Sequence, residues 1–322
     1  MARFIPRNMS PVRKIRFDAI VGADTHIRED CPICREPEEY MKAQWTKLEF
    51  IKALCDSNHC PFLHAGDLFD HWRPSPWLIS MALEHLPAMT IVAPGQHDLA
   101  NHSLVELPKT GLQTLAQAER VLILTDGFER VLGDPTRVPA SISGYAYGET
   151  AKDALKSDKN RKYALLWHHL TCYRDQPWPD AGAAEPHTLF RSLPGYDLIV
   201  TGDNHQQFTA RSGNAERWIV NPGSMMRMSA DQEDFEPAVF GWRAEDNSVT
   251  RIPLPIKKGV VSREHLNKEK KETRDKRMEA YIKRAQKSYE AKLSYTENLK
   301  AHIKKNKVGK EVEELIWKAV GE

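Results

Sequence analysis

The sequence predicts an α/β fold followed by a basic helical tail. Three observations carry that prediction. Short apolar runs of strand length recur through the first two thirds of the chain. Helical periodicity with very little Gly or Pro replaces them after residue 263. The charge changes sign near the same place: residues 257–322 hold 19 Lys and Arg against 11 Asp and Glu, a balance of +8, while the preceding residues carry −6. At 322 residues with 41% apolar content, the chain can bury one substantial core and still carry an appendage.

Taken in order, each apolar run ends on a residue that can bind a metal. Residues 17–23 (FDAIVGA) lead into Asp24, Thr25 and His26, and residues 60–66 (CPFLHAG) lead into Asp67 and Asp70. Residues 89–95 (MTIVAPG) precede Gln96, His97 and Asp98; YALLW precedes His168 and His169; DLIVTG precedes Asp203 and His205. Strand ends facing one edge of an open α/β sheet are where such folds assemble sites, so these distant residues can meet there. Two further strands are expected near residues 238–243 and 249–252. IPLPIKK at 252–258 then reads as an extended connector, because its prolines disfavour helix. The expected division is a core of residues 1–255 and a tail of residues 256–322.

A mixed set of imidazoles and carboxylates suits manganese, iron or zinc better than a site built from oxygen alone. Phosphoester cleavage uses such sets, with two cations about 3.5 to 4 Å apart acting on the attacking and leaving oxygens. Neighbouring side chains of an extended strand alternate faces, so His168 and His169 cannot both point into one site. For any one histidine alone, a hydrogen-bonded structural role is the better reading. Agreement among five segments reverses that.

The order DTH, GDLFD, GQHD, WHH and GDNH resembles that of the calcineurin-like metallophosphoesterases over roughly the first 230 residues. GDLFD followed by HWRPSP, and IVNPGS at residues 219–224, is similar to the nuclease branch typified by the bacterial SbcD subunit. The resemblance implies two mixed β-sheets packed as a sandwich flanked by helices. It implies that Asp24, His26 and His205 hold one metal, that Asp67 bridges, and that Gln96, His168 and Asp203 hold the second. His97 would protonate or stabilise the leaving oxygen, with Asp98 orienting its ring. The activity implied is manganese-preferring hydrolysis of DNA, as 3′ to 5′ exonuclease and single-strand endonuclease; magnesium, iron or zinc would also fit the ligands. The sequence departs from the pattern twice. Gln96 stands where the family has Asn and Asp203 where it has His; both can still coordinate, and the alternative is a one-metal or inactive site.

Trp72, Arg73, His102 and Arg227 are candidate substrate contacts, Arg73 for a phosphate and Trp72 for a base or sugar face. Cys31, Cys34, Cys55, Cys60 and Cys172 are too few for a disulfide scaffold, and the first four weakly suggest structural zinc. No run approaches a membrane span and the basic N-terminus lacks a signal-length apolar segment, so a soluble, cytoplasmic protein is expected. In the tail, Met278, Ile282, Ala285, Tyr289 and Leu293 form one apolar stripe, which needs a docking surface. The resemblance supplies a partner, an SbcC-like coiled-coil ATPase. Packing on the protein's own core, a homodimeric coiled coil and a DNA-gripping arm compete with it. It also implies a homodimer through helices such as residues 76–86. A small-molecule phosphodiesterase or phosphatase, and a non-cutting DNA-repair scaffold, are the alternative functions.

Overall fold

The computed structural model describes residues 16–132, 137–156, 158–262 and 295–320. Twelve strands form two six-stranded mixed sheets. The first has the order β12 (Ser248–Pro253), β11 (Ala238–Arg243), β1 (Ala19–Gly22), β2 (Phe62–His64), β3 (Thr90–Val92), β4 (Val121–Ile123). The second runs β5 (Glu129–Leu132), β6 (Ala140–Tyr145), β7 (Lys162–Trp167), β8 (Leu198–Thr201), β10 (Trp218–Asn221), β9 (Phe208–Arg211). β1 to β4 are parallel to one another, as are β6, β7, β8 and β10, so two sets of carboxyl ends are available to build a site. β11, β12, β5 and β9 join their neighbours antiparallel.

The period-two rule of strands sorts the core into layers. Ala19 and Val21 of β1, Ala164 and Leu166 of β7, and Leu198 and Val200 of β8 share one buried cluster between the sheets. That cluster includes Ala19, Ala23, Ala65, Ala93, Ala140, Ala164 and Ala244, whose small side chains let the two sheets approach closely. The alternate residues face outward onto helices. Ile20, Phe62 and Val92 pack with α1 (Pro37–Asn58), α2 (Pro76–His85) and α3 (Gly111–Gln117). Tyr163, Leu165, Trp167 and Ile199 pack with α4 (Pro186–Ser192). This is the expected sandwich flanked by helices.

The RPSP segment has a local structural cause. Ser75 caps α2 by accepting from the Leu78 N–H at 3.1 Å, and Pro76 occupies the first turn, where its missing N–H costs nothing. No helix among the described residues is long and apolar enough to cross a membrane. The chain falls into two compact units, one ending at Ser262 and one beginning at Arg263. In the first, Val261 is buried with Cys34 and Ala230, and the Ser262 N–H donates to the Cys34 carbonyl. The second contains α5 (Tyr295–Lys305) and α6 (Lys310–Val320), with Lys300 over the Trp317 ring. The apolar stripe expected at Met278 to Leu293 lies outside the described residues.

Candidate metal centre

The carboxyl ends of β1, β2, β3, β7 and β8 deliver Asp24, Asp67, Gln96, His97, His168, Asp203 and His205 to one edge of the sandwich. Tight loops make this possible at a conformational cost. Asp24, His26, Asp67 and Asp203 all have left-handed backbone, with φ of 48°, 43°, 56° and 75°, a region non-glycine residues seldom occupy and one that clusters at functional sites. Two glycines make room. A Cβ on Gly66 would lie 2.2 Å from His168 Nδ1, and one on Gly95 would lie 2.1 Å from Asp67 Oδ1.

Three groups of side chains offer ligand atoms within 4.8 Å of one another: Asp24 with His26 and His205; His26 with Asp67 and His97; Asp24 with Asp67 and His168. Asp67 Oδ2 lies 3.7 Å from His26 Nε2, 3.5 Å from His168 Nε2 and 4.0 Å from His97 Nε2, a central position suited to a bridge. His26 Nε2 and His205 Nε2 are 3.1 Å apart. Two nitrogens about 2.1 Å from one ion would stand about 3 to 3.4 Å apart.

Polar contacts on the far side of three of the rings orient them toward the centre. The Ala65 carbonyl can only accept, so His168 donates from Nδ1 at 2.7 Å and turns Nε2 inward. His26 Nδ1 lies 3.2 Å from the Asp70 carboxylate, the outer partner that ligating imidazoles commonly have. His97 donates from Nδ1 to the Asp70 carbonyl at 2.8 Å. Asp70 thus serves two rings, while its other oxygen pairs with Arg28 at 3.2 Å.

The fit to metal rests on unsatisfied atoms. Asp24 Oδ2, Asp67 Oδ2, Gln96 Oε1 and His168 Nε2 are buried without a hydrogen-bond partner. Polar atoms so placed are costly unless something else satisfies them. All four belong to the expected ligand set, and a divalent cation would satisfy them. The protonation pattern agrees. Burial, reinforced by Asp67, raises the Asp24 carboxyl to about 7 against the pull of His168. Burial also opposes ionisation of Asp67, but the rings of His168, His26 and His97 hold it below the usual carboxylate range. His168 rises to about 10 because Asp67 and Asp24 outweigh its burial. His205 falls to about 4 through burial and the nearby His26. Without metal, protons occupy the place of the missing positive charge.

Asp203 departs from the expected arrangement. It joins none of the three groups among the described residues. Instead its Oδ1 accepts from Gln96 Nε2 at 2.7 Å, and its backbone N–H donates to Asp24 Oδ1 at 3.0 Å. The two residues that differ from the family pattern are therefore bonded to each other, leaving Gln96 Oε1 as the buried free oxygen.

The structure corrects two roles. Asp98 does not orient His97: its carboxylate is fully buried and accepts from the N–H groups of Leu68 at 3.2 Å, Phe69 at 3.1 Å and Gly95 at 3.0 Å. It ties the loop carrying Asp67 to the loop carrying His97. Arg227 is not a surface contact either. It is buried, with its guanidinium donating to the carbonyls of Glu233 and Lys257. Trp72 is half-buried, while Arg73 and His102 are exposed, His102 edge-on to Tyr147. None of these four lines the cleft of about 680 Å³ that opens beside Gln96, His97, Asp203 and His205. Among the described residues, none of the groups of side chains placed to hold a metal includes a cysteine.

Other supports escape a reading of the sequence. His64, inside β2, is buried and held neutral, its pKa lowered to about 3 by burial and His168. It accepts from the Gly66 N–H at 3.2 Å, so its Nε2–H points at Thr25 Oγ1, which in turn donates to the Leu68 carbonyl. Asn221 of the NPGS segment donates to the carbonyls of Asn204 and Gln206 and so shapes the loop that carries His205. The next residues hook onto the centre: the Ser224 N–H donates to the His205 carbonyl and that of Met225 to the Asp24 carbonyl, both at 3.1 Å. An isolated His in an apolar strand, and the NPGS run itself, were the available signals.

No curated protein sequence matches the chain. Among solved structures it is similar to an archaeal phosphodiesterase, with 12% identity over 73% of this chain and 99% of that one, at a TM-score of 0.39. A protein described as a 5′-nucleotidase from Staphylococcus aureus aligns at 13% identity over 76% of this chain and 56% of that one, at 0.48. A phosphopantetheinyl hydrolase from Mycobacterium tuberculosis aligns at 11% over 73% and 95%, at 0.43. The sequence profile described as calcineurin-like phosphoesterase spans residues 17–207, from the run before Asp24 to just beyond His205. With more than half of its length matched and its ligand atoms gathered at one sheet edge, this chain belongs to the calcineurin-like phosphoesterases, a family of metal-dependent phosphoester hydrolases that bind two divalent ions.

Proposed function

We propose that the protein hydrolyses phosphodiester bonds in DNA and serves as a nuclease subunit of the SbcD type. The observation that carries this reading is the cleft beside the metal centre. It holds about 680 Å³ and is lined by Gln96, His97 and His205 together with Trp178 and Phe235. A DNA strand could place one nucleotide in it, with the phosphate being cut at the metal ligands. Bound metals, with manganese preferred, would polarise the phosphate and acidify water. Asp24, His26, His205, Asp67, His168 and Gln96 would hold them.

The chain's own residues do the rest. His97 lines the cleft with a 43% exposed side chain, and its Nδ1–H is held by the Asp70 carbonyl. A proton carried on Nε2 would therefore be directed to the leaving oxygen. Arg73, exposed three residues after Asp70, is available for a neighbouring phosphate. On α6, Val312 and Leu315 are 52% and 67% exposed, an apolar strip suited to a helical partner, which we take to be a coiled-coil ATPase. On α2, Trp77 is 49% exposed and suits pairing with a second copy.

A second reading, hydrolysis of small phosphodiesters, is favoured by the cleft lining, which has no Lys or Arg among the described residues and includes Asp203 and Asp231. The test is hydrolysis with manganese of single-stranded DNA, duplex DNA and bis(p-nitrophenyl) phosphate, each beside His97→Ala. DNA cutting abolished by the variant supports the nuclease; hydrolysis of the small ester alone supports the second reading. DNA binding without turnover of any substrate would overturn both.

A further inference from the structure

We infer that Trp178 forms a stacking platform for an unpaired nucleobase, adjoining the phosphate at the metal centre; this rests on the phosphodiesterase reading above. Trp178 is 51% exposed, yet it lines the same cleft as His97 and His205. Leaving that much indole in water forfeits burial a tryptophan would otherwise gain, and an exposed aromatic at a cleft mouth is a recurrent sign of a ligand surface.

The loop that presents Trp178 is held firmly. Its ends are joined where the Cys172 N–H donates to the Ala184 carbonyl at 3.1 Å and that of Ala184 to the Leu170 carbonyl at 3.0 Å. Gln176 spans its interior, accepting from the Ala183 N–H at 2.8 Å and donating to the Ala183 carbonyl at 3.0 Å. The Ala181 N–H closes the turn on the Trp178 carbonyl at 3.2 Å. Two bonds connect the loop base to the metal centre's own scaffold: Thr171 Oγ1 meets Thr201 Oγ1 at 2.7 Å, and Asn204 Nδ2 donates to the Thr171 carbonyl at 2.8 Å. The backbone bearing the indole is thus fixed relative to His205. A preorganised surface of this kind loses little entropy when a flat ligand lands on it.

The chemistry of the lining selects the ligand. Without Lys or Arg among its described residues, the cleft cannot grip several phosphates, so one phosphate at the metals must be supplemented by another kind of contact. Two of the cleft's amides are already engaged. Gln207 donates to the Glu236 carbonyl and accepts from Arg251, while Gln232 accepts from the Met228 N–H and donates to Ser224. Stacking needs no such groups and is tolerant of base identity. A base inside a duplex has both faces covered, so the platform requires an unpaired one. The cleft volume suits a nucleotide, since sites for small ligands run from about 300 to 1,000 Å³.

The test is competition against manganese-supported hydrolysis of bis(p-nitrophenyl) phosphate by thymidine 5′-monophosphate and by 2-deoxyribose 5-phosphate, which differ only in the base. The wild-type protein should bind the nucleotide about tenfold more tightly. Trp178→Ala should bring the ratio near one, and Trp178→Phe should retain most of it. Equal inhibition of the wild type by the two, or an unchanged ratio in Trp178→Ala, overturns the platform while leaving the hydrolase reading intact. A loss in Trp178→Ala that weakens both inhibitors equally also overturns it, because the indole would then be structural. Absence of any diester hydrolysis by the wild type counts against the proposed function itself.

Discussion

Replacing Lys47 by Met should remove a contribution to stability that increases with pH between pH 7 and pH 9, read as the difference between the two proteins. The Lys47 ammonium lies in the interior on α1, 2% exposed, donating to the Met225 carbonyl at 2.8 Å. Burial, followed by repulsion from Arg35 and Arg227, lowers its pKa to about 7 from 10.5. Between those two values the unfolded chain binds a proton that the folded chain does not, so stability increases with pH across the window and is flat below it. At about 1.4 kcal/mol per pH unit, and with titration half complete at the folded pKa, the gain from pH 7 to 9 is about 2 kcal/mol. His168 works in the opposite sense. Raised to about 10 in the metal-free protein, it contributes stability that is lost as pH rises through that value. Both proteins contain His168, so subtracting one curve from the other isolates Lys47. Losing the bond to Met225 shifts the variant's whole curve without changing its slope. The assay is urea unfolding of both proteins in chelator at pH 6, 7, 8 and 9. A difference that stays constant within about 0.5 kcal/mol from pH 7 to 9 would refute the reasoning, because Lys47 would then titrate alike folded and unfolded.

Four further predictions concern the centre. Asp67→Asn, which removes the charge between His26 and His168, should lower hydrolysis by at least about a hundredfold and reduce bound manganese measured by atomic emission. Metal content and rate near wild type would exclude Asp67 as a bridge. Metal binding at pH 7 should release at least about one proton per chain, since His168 and part of Asp24 are protonated without metal. Calorimetry in buffers of differing ionisation enthalpy measures this, and a heat independent of buffer contradicts it. Asp98→Asn should cost about 2 to 4 kcal/mol of stability, because an amide turns a donor toward N–H groups that its carboxylate now satisfies. His97→Ala should leave the melting temperature within a few degrees while abolishing turnover. If Asp98→Asn melted like wild type but lost activity, the orienting role would return.

The strands that could be read in advance are those whose apolar run ends on a ligand. β1, β2, β3, β7 and β8 each combine burial on both faces with an abrupt polar stop. β5 and β6 lacked such a signal for opposite reasons. ERVL of β5 is largely exposed, so its composition reflects solvent. ASISGY of β6 is buried throughout, but Ala140 faces the other sheet, where small residues let the sheets approach closely, and with Ser and Gly in the run its hydrophobic signature is weak. Which strands share a sheet was equally hidden, because β11 returns from more than two hundred residues away to pair with β1.

The site was legible in its ligands and illegible in its supports, and Asp98 shows why. The family resemblance implied that it served His97. The turn in which the Asp98 N–H donates to the Gly95 carbonyl instead folds its carboxylate back onto the Asp67 loop, while the ring of His97 turns to Asp70, 27 positions away. Supports of this kind follow backbone direction, which residue identity encodes weakly outside glycine. Gln96 and Asp203 mark the opposite limit. Each was visible alone as a departure from the family pattern, and only the fold shows the 2.7 Å bond between them across 107 residues. Had Asp203 been His, it could not have accepted that bond and still offered an imidazole nitrogen toward a metal from the same atom. The longer amide and the carboxylate therefore make chemical sense together: one reaches across, the other receives it, and Gln96 Oε1 is left buried without a partner.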